Sequence, residues 1–460
     1  MSAGFRLSGR HGSGLPFGCT PTQAVIAAVG FVTAAGVAVT VGGPVALGVI
    51  GVVVVTVGVA GWWPDRSGRP AHEAAGRHAG FVTRRRRWQR TVPWGWPAGR
   101  LPAPFHTVTV DGSRGGPNDV PVALIGLRRA ARVSVVVPVD CVDTGSGERD
   151  ASDRVLRWGA VLAAFGRDRG LIQVTVAHRR RPFDPAAHVG VLPDDPVARA
   201  RYLALVTDPT AVVHEQHLVV TARDRPAVAR LVDALTVSAP SAGLRVGAPW
   251  TVAQWCDQVA HRLDPTRPWR APVTLAEHLG VVPIDPTVPS EVTVTRTAVR
   301  TGGVWHRVFW VAAWPTGPVP AGWFDPLHRD GPGLHTWTTV MVPVPARRSR
   351  RQLTADAVAL RADVEHRHRH GFRVPGPLAA AETVLDTREA ELHAGALDYR
   401  WVTLLELCAT TIERLDEHTD AWHDLAARAG IVLGAVDGAH DLALGHCLPF
   451  GSTPGQRRGR

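Results

Sequence analysis

Ala24–Trp63 reads AVIAAVGFVTAAGVAVTVGGPVALGVIGVVVVTVGVAGWW, without one charged side chain. Two apolar runs, Ala24–Val41 and Pro44–Trp63, flank Gly42-Gly43. As helices they would extend about 27 and 30 Å, the thickness of a bilayer core. Pro44 opens the second run, where its missing N–H costs little, and the glycine pair can turn tightly. The stretch therefore reads as a two-helix transmembrane hairpin. Its flanks orient it. Arg6 and Arg10 precede it with no acid, and residues 64–100 hold nine Arg against Asp65 and Glu73. Positive flanks stay in the cytoplasm, so a multi-pass protein of the cell membrane with both termini cytoplasmic is expected. The apolar region is too long, and too basic behind, for a cleaved signal peptide.

The net charge is +11, and all 51 basic residues counted as Lys or Arg are arginine. A chain without lysine has no phosphate-loop lysine for a nucleotide and no amine for a Schiff base. If it serves an ATP-driven process, the motor is another chain. Cys19, Cys141, Cys256, Cys408 and Cys447 are scattered, with no C-x-x-C and no zinc spacing, so buried free thiols in a reducing compartment are expected.

The chain divides by composition into a cytoplasmic N-terminus (1–23), the hairpin (24–63), a basic Pro/Trp-rich juxtamembrane linker (64–104), a first α/β half (105–268), a Pro-rich connection (269–303), a second half (304–450) and a basic tail (451–460). In the first half, strands are expected at Phe105–Val110, Arg132–Val142, Leu171–Ala177 and His217–Thr221, with helices after Ser152 and at Pro196–Thr207, Ala227–Val237 and Val252–Leu263. The pattern recurs downstream. Strands are expected at Val304–Trp314, His335–Val344, Tyr399–Ala409 and Ile431–Val436, and helices at Ser349–Arg369, Pro377–His393 and from Ile412 to Ala429. The fold class is α+β, with split strand-helix-strand units behind the membrane hairpin.

Few motifs carry chemistry. Asp143-Thr144-Gly145-Ser146 matches one aspartic-protease loop, but the second carboxylate loop that chemistry needs is absent. His366, His368 and His370 would share a face on a strand, but not on the helix expected there. His214-Glu215-Gln216-His217 and His72-Glu73 lack the His four positions on that a zinc protease requires. No catalytic, cofactor-binding or metal residues are assigned, and no enzyme activity is expected. Arg84, Arg85, Arg86, Arg87 and Arg90 form a basic patch suited to anionic lipid, with nucleic acid the alternative. Arg179–Arg181, Arg347-Arg348 with Arg350-Arg351, and Arg457-Arg458 with Arg460 read as solvated ends of elements.

Trp305-His306-Arg307-Val308-Phe309-Trp310-Val311-Ala312-Ala313-Trp314-Pro315 is the most specific segment. Val319–Leu327, the His335–Pro345 strand and an Arg-rich helix follow, and Asp153–Gly159 (DRVLRWG) fits the same pattern. Together they resemble a family of actinobacterial membrane proteins of conjugation-type gene clusters. That family is similar to the membrane-anchored N-terminal part of the type IV secretion transfer ATPase, without its motor. Leu448-Pro449-Phe450-Gly451 stands where, in those motors, the N-terminal domain gives way to the ATPase. The E component of type VII secretion is the second resemblance. Either implies a non-catalytic membrane scaffold of a secretion or conjugation apparatus, oligomeric in its complex, that docks a separate ATPase and other channel subunits. A membrane-tethered nucleic-acid binder is the remaining alternative. Trp305 and Phe309 fall on one face of their strand and Trp310 on the other. With Trp314 they are the candidate partner surface, on a strand apolar enough to be central.

Overall fold

The computed structural model describes residues 32–34, 49–53, 55, 79–83, 108–113, 122–127, 130–141, 148–183, 195–206, 212–266, 292–315, 317, 319–320, 322–373 and 376–451. The chain forms two compact units, one of residues 1–7, 85–344 and 397–460, the other of 8–84 and 345–396.

The first unit is built on one antiparallel sheet. Its strands are β1 (Val108–Ser113), β2 (Val122–Leu127), β3 (Ala130–Cys141), β4 (Leu171–Pro182), β5 (Val212–Ala222), β6 (Leu244–Val246), β7 (Val292–Val294), β8 (Val299–Thr301), β9 (Val304–Ala313), β10 (Leu334–Pro343), β11 (Tyr399–Ala409) and β12 (Val432–Ala435). The order across the sheet is β1-β2-β3-β5-β4-β10-β11-β9-β8-β7, with β6 added beside β3 and β12 beside β9. The helices are α1 (Glu148–Arg167), α2 (Pro196–Val206), α3 (Arg225–Ser238), α4 (Val252–Leu263), α5 (Asp325–Arg329), α8 (Ile412–Arg428) and α9 (His440–Cys447), with α6 (Ala346–Arg369) and α7 (Gly376–His393) in the second unit.

The two halves of the sheet repeat each other in register. β3 meets β5 at Val136–Val219 and Val137–Leu218, and β9 meets β11 at Val308–Glu406 and Phe309–Leu405. β6 joins β3 at Val139–Val246, as β12 joins β9 at Val311–Leu433. In each half the helix after the inner strand is capped from the second residue beyond that strand. Asp224 accepts from the Ala227 N–H at 2.8 Å and Thr411 from the Arg414 N–H at 3.2 Å. Gly243 (φ 73°) and Gly430 (φ 71°) then turn the chain into β6 and β12 in the left-handed region open to glycine. The halves meet at β4 and β10, which pair antiparallel with Ala177 opposite Thr338, so the repeat is related by a pseudo-two-fold axis at this seam.

Side chains alternate across the sheet. One face carries Val135, Val137, Val174, Leu218 and Val220, packed with α1 and α3 residues such as Phe165 and Leu231. It continues as Phe309, Trp337, Leu405 and Leu407, packed with α5 and α8 residues such as Leu327, Leu415 and Trp422. The opposite face carries Val136, Val219, Val308 and Leu404 beneath α4, α9 and the segment after it, including Trp255, Val259, Leu444, Leu448 and Phe450. In that last segment the Trp255 indole N–H donates to the Pro449 carbonyl at 2.9 Å, and the Thr221 hydroxyl to the Gly451 carbonyl at 2.9 Å.

In the second unit α6 and α7 pack on each other, with Leu353 and Leu385 buried and an Arg388–Asp356 pair at 4.0 Å. Arg347, Arg348, Arg350 and Arg351, in the first two turns of α6, are all exposed.

Two expectations are corrected. Among the described residues no helix is long and apolar enough to cross a membrane, so the transmembrane hairpin over 24–63 and the multi-pass location are overturned. Within 24–63 the described helical residues are only 32–34, 49–53 and 55. The runs described there are at most five residues long, against about 20 needed for a span, and the rest of 24–63 lies outside the described residues. The α+β arrangement of separate halves behind that hairpin is replaced by one large antiparallel sheet. The physical reason is the edge each half would expose: β4 and β10 satisfy each other's backbone groups along the seam.

Trp310 and Gly434 test this packing. A Cβ on Gly434 would run into the Trp310 indole. Gly434→Ala should therefore destabilise the chain by about 1–3 kcal/mol, and Trp310→Ala by about 3 kcal/mol. The double variant should lose clearly less than the sum, because the truncated ring frees the space the methyl needs. Urea denaturation of the four proteins checks it, and strict additivity would show that the two residues do not touch.

Candidate functional site

The first face carries an unbroken series of ring contacts across the seam. Trp401 on β11 lies 5.2 Å from Trp314, just beyond β9. Trp314 lies 6.2 Å from Trp323 and 5.9 Å from Phe324. Phe324 meets His328 of α5 edge-on at 4.7 Å, His328 meets His178 of β4 at 4.1 Å, and His178 stacks on His214 of β5 at 5.2 Å. Trp337 of β10 closes against Phe324 at 4.8 Å and His335 against Trp422 at 4.8 Å. Trp314, Trp323, Phe324, His328 and Trp401 are half-buried and His214 is exposed, so the ridge has an open side. Such a row of indoles, apolar with a polar N–H, is the composition found at the energetic centre of protein interfaces.

The histidine end leaves several buried nitrogens without a partner. His178 Nδ1, His328 Nδ1, His335 Nε2, Trp337 Nε1 and Arg180 Nε are buried atoms with no hydrogen-bond partner among the described residues, although Arg180 also donates to the Gly331 carbonyl. Burial, helped by His214, pushes His178 down to about 4. Burial pushes His335 down to about 3, with Arg180 and His178 adding to it. His328 lies well below its ordinary value through burial and the histidines around it. His214 is lowered by burial and by Arg180 and Arg329, with Asp330 opposing. At neutral pH the four imidazoles are therefore uncharged. Among the described residues no group of three His, Cys, Asp or Glu is placed to hold a metal ion.

The opposite face buries an ionic layer at the same seam. Arg179 of β4 donates to the His261 carbonyl at 2.9 Å and lies 3.9 Å from Glu215. Arg262 donates to the Cys447 carbonyl at 2.7 Å and faces His217 at 3.3 Å. His306 Nδ1 lies 2.9 Å from Glu406, and its Nε2 faces the Thr301 hydroxyl at 2.8 Å and the Leu263 carbonyl at 3.1 Å. Burial alone would raise the Glu406 carboxyl. The His306 hydrogen bond and charge, with Arg262 and Arg179, outweigh it and hold the carboxyl below its usual value. These groups tie α4 and the segment after α9 to the sheet, and all but Glu215 are buried.

The sequence candidates fall apart in space. Trp305 and Phe309 lie on the first face, Phe309 buried and Trp305 half-buried with the Arg300 guanidinium 5.7 Å above its ring. Trp310 lies on the opposite face, and Trp314 joins the ridge. Arg84, Arg85, Arg86, Arg87 and Arg90, the Asp143–Ser146 loop, His72-Glu73 and the 457–460 arginines lie outside the described residues. His366 and His370 stack at 4.3 Å on an exposed helix end. On β5 His214 and Gln216 face one side, Glu215 and His217 the other. Arg179–Arg181 is no solvated end: Arg179 is 4% exposed, and Arg181 pairs with Glu215 at 2.5 Å. Sequence reasoning missed His178, His328, His335, Arg262 and Glu406. The signal available was a charged or imidazole side chain inside an apolar strand, as in Leu404-Leu405-Glu406-Leu407. No family model matches the chain, and no curated protein matches it.

The histidine cluster fixes a pH dependence. Folded-state values lie below the ordinary 6.5, so the unfolded chain takes up protons first as the pH falls. The stability of the neutral cluster is whole above pH 6.5 and is lost as the pH falls toward 4 for His178 and 3 for His335. For His178 alone the loss is about 3 kcal/mol. Denaturation midpoints should be level above pH 7 and fall between 6.5 and 4. His328→Phe keeps a ring and removes one titration, so its midpoint should fall less steeply; an identical slope would show that the cluster does not carry the effect.

Proposed function

We propose that this chain is a non-catalytic scaffold subunit of a secretion or conjugation apparatus, and that the ridge on the first face of its sheet docks a separate motor ATPase. The observation that carries the reading is the half-buried run Trp401–Trp314–Trp323–Phe324, whose indoles stand at the open side of the seam. Two features of the sequence support it. The Trp305–Pro315 segment, which leads directly into Trp314, resembles the conjugation-associated family. The absence of lysine leaves an ATP-driven process to another chain.

A second reading, nucleic-acid binding, is favoured by the four exposed arginines that open α6, where the helix dipole adds to their charge and no acid stands in the first turn. Binding there would fall steeply with salt.

Capture of the motor ATPase by the full chain tests the first reading. Trp323→Ala and Trp401→Ala should each weaken capture about tenfold or more, the loss expected of a hot-spot residue, while near-ultraviolet circular dichroism stays native-like. Replacing Arg347, Arg348, Arg350 and Arg351 by Gln should leave capture unchanged. The reverse pattern, with duplex binding lost in the arginine variant, would favour the second reading.

A further inference from the structure

The ridge is chemically lopsided, and the lopsidedness describes its occupant. One end is apolar: Trp314, Trp323, Phe324 and Trp401 contact one another at 5.2–6.2 Å. The other end carries imidazole and guanidinium. Arg180 and Arg329 act on His214 against the single carboxylate of Asp330. Beside them the buried Arg180 Nε–H and Trp337 Nε1–H find no acceptor, and His178 Nδ1, His328 Nδ1 and His335 Nε2 find no partner, among the described residues. Buried polar groups are ordinarily paired, and a cluster of unpaired ones marks a missing partner atom. Asp325, at the start of α5, is exposed and is the only other carboxylate on that element.

The two ends are also pseudo-symmetry mates that have diverged. Trp401 precedes Leu405 on β11 by the interval at which His214 precedes Leu218 on β5, and Leu405 and Leu218 hold matching places in the repeated registers. This ridge offers indole at one end and imidazole with guanidinium at the other, which suits a single asymmetric segment laid across the seam.

Resting on the docking reading above, we infer that the ridge takes an acidic-apolar segment of its protein partner: an apolar side chain seated among Trp314, Trp323 and Trp401, with a carboxylate at the His214–Arg329 end. A carboxylate there meets Arg180 and Arg329, which Asp330 offsets only in part. Rim charges of this kind act mainly through orientation and on-rate. The indoles hold the segment and the cationic end sets its direction.

The probe is a labelled twelve-residue peptide of alternating Leu and Glu, with its Gln and Lys counterparts, titrated by fluorescence anisotropy into the full chain at low salt. The Glu peptide should bind about tenfold tighter than the Gln peptide, and the Lys peptide weakest. Trp323→Ala should weaken all three. Arg329→Gln, at an exposed position, should weaken the Glu peptide alone by about threefold, as exposed charge pairs are worth little individually. Arg300→Gln, at the Trp305 site, should change nothing. Equal binding of the Glu and Gln peptides, or an Arg329→Gln variant that binds like wild type, overturns the inference. The two proposals fail differently. Motor capture that depends on Trp323 but is not competed by the Glu peptide sinks the acidic-segment inference and leaves docking standing. Tight, Trp323-dependent Glu-peptide binding with no motor capture sinks the motor and leaves the site's chemistry intact.

Discussion

The antiparallel pairing of β4 with β10 governs everything else in the first unit. Seven residue pairs, from His335–Arg180 to Met341–Val174, join two strand systems that would otherwise each end in an open edge. Unpaired edges are costly and invite non-native association. Closing them on each other yields one sheet with a pseudo-two-fold seam. Because side chains alternate on a strand, the same seam fixes what each face presents: Arg179 and Thr336 on one, His178 and Trp337 on the other.

The two faces use the seam differently. On the enclosed face, Arg179, Arg262 and Glu406 lie far from solvent, each carrying a desolvation cost that only good partners offset. The partners are there: the His261 and Cys447 carbonyls for the guanidiniums, His306 for the carboxylate. Removing one member strands the others, at a typical cost of about 3–5 kcal/mol. The layer therefore ties α4 and the Leu448–Gly451 segment to a single position on the sheet. On the open face imidazoles and indoles stand beside Arg180 and Arg329, and several buried nitrogens have no partner among the described residues. This buried layer beneath the half-buried ridge holds the strands that carry the ridge in place.

Much of the sheet was legible in the sequence because alternation is a local signal. Val304–Trp314, His335–Val344 and Tyr399–Ala409 as expected from their patterns overlie β9, β10 and β11, and the expected Val252–Leu263 helix coincides with α4. The seam was not legible. Pairing between β4 and β10 joins residues far apart in the chain, and nothing within either strand names its partner. The ridge was invisible for the same reason: His178, His214, His328 and Trp401 come from four separate elements, and only Trp314 stood out in a readable segment. Arg179–Arg181 misled because an arginine run is ordinarily a solvated end, whereas here alternation sends Arg179 into the ionic layer. The Ala24–Trp63 reading rested on apolar length alone, and the helical runs described there are at most five residues, against about 20 needed to span a bilayer.

Hydrogen–deuterium exchange of the full chain, alone and with the motor ATPase, tests the docking face most directly. Slower exchange is expected across residues 322–333 and 399–402 on binding, with α6 and α7 unchanged. Protection confined to α6 and α7, or no protection anywhere in the sheet unit, would contradict it.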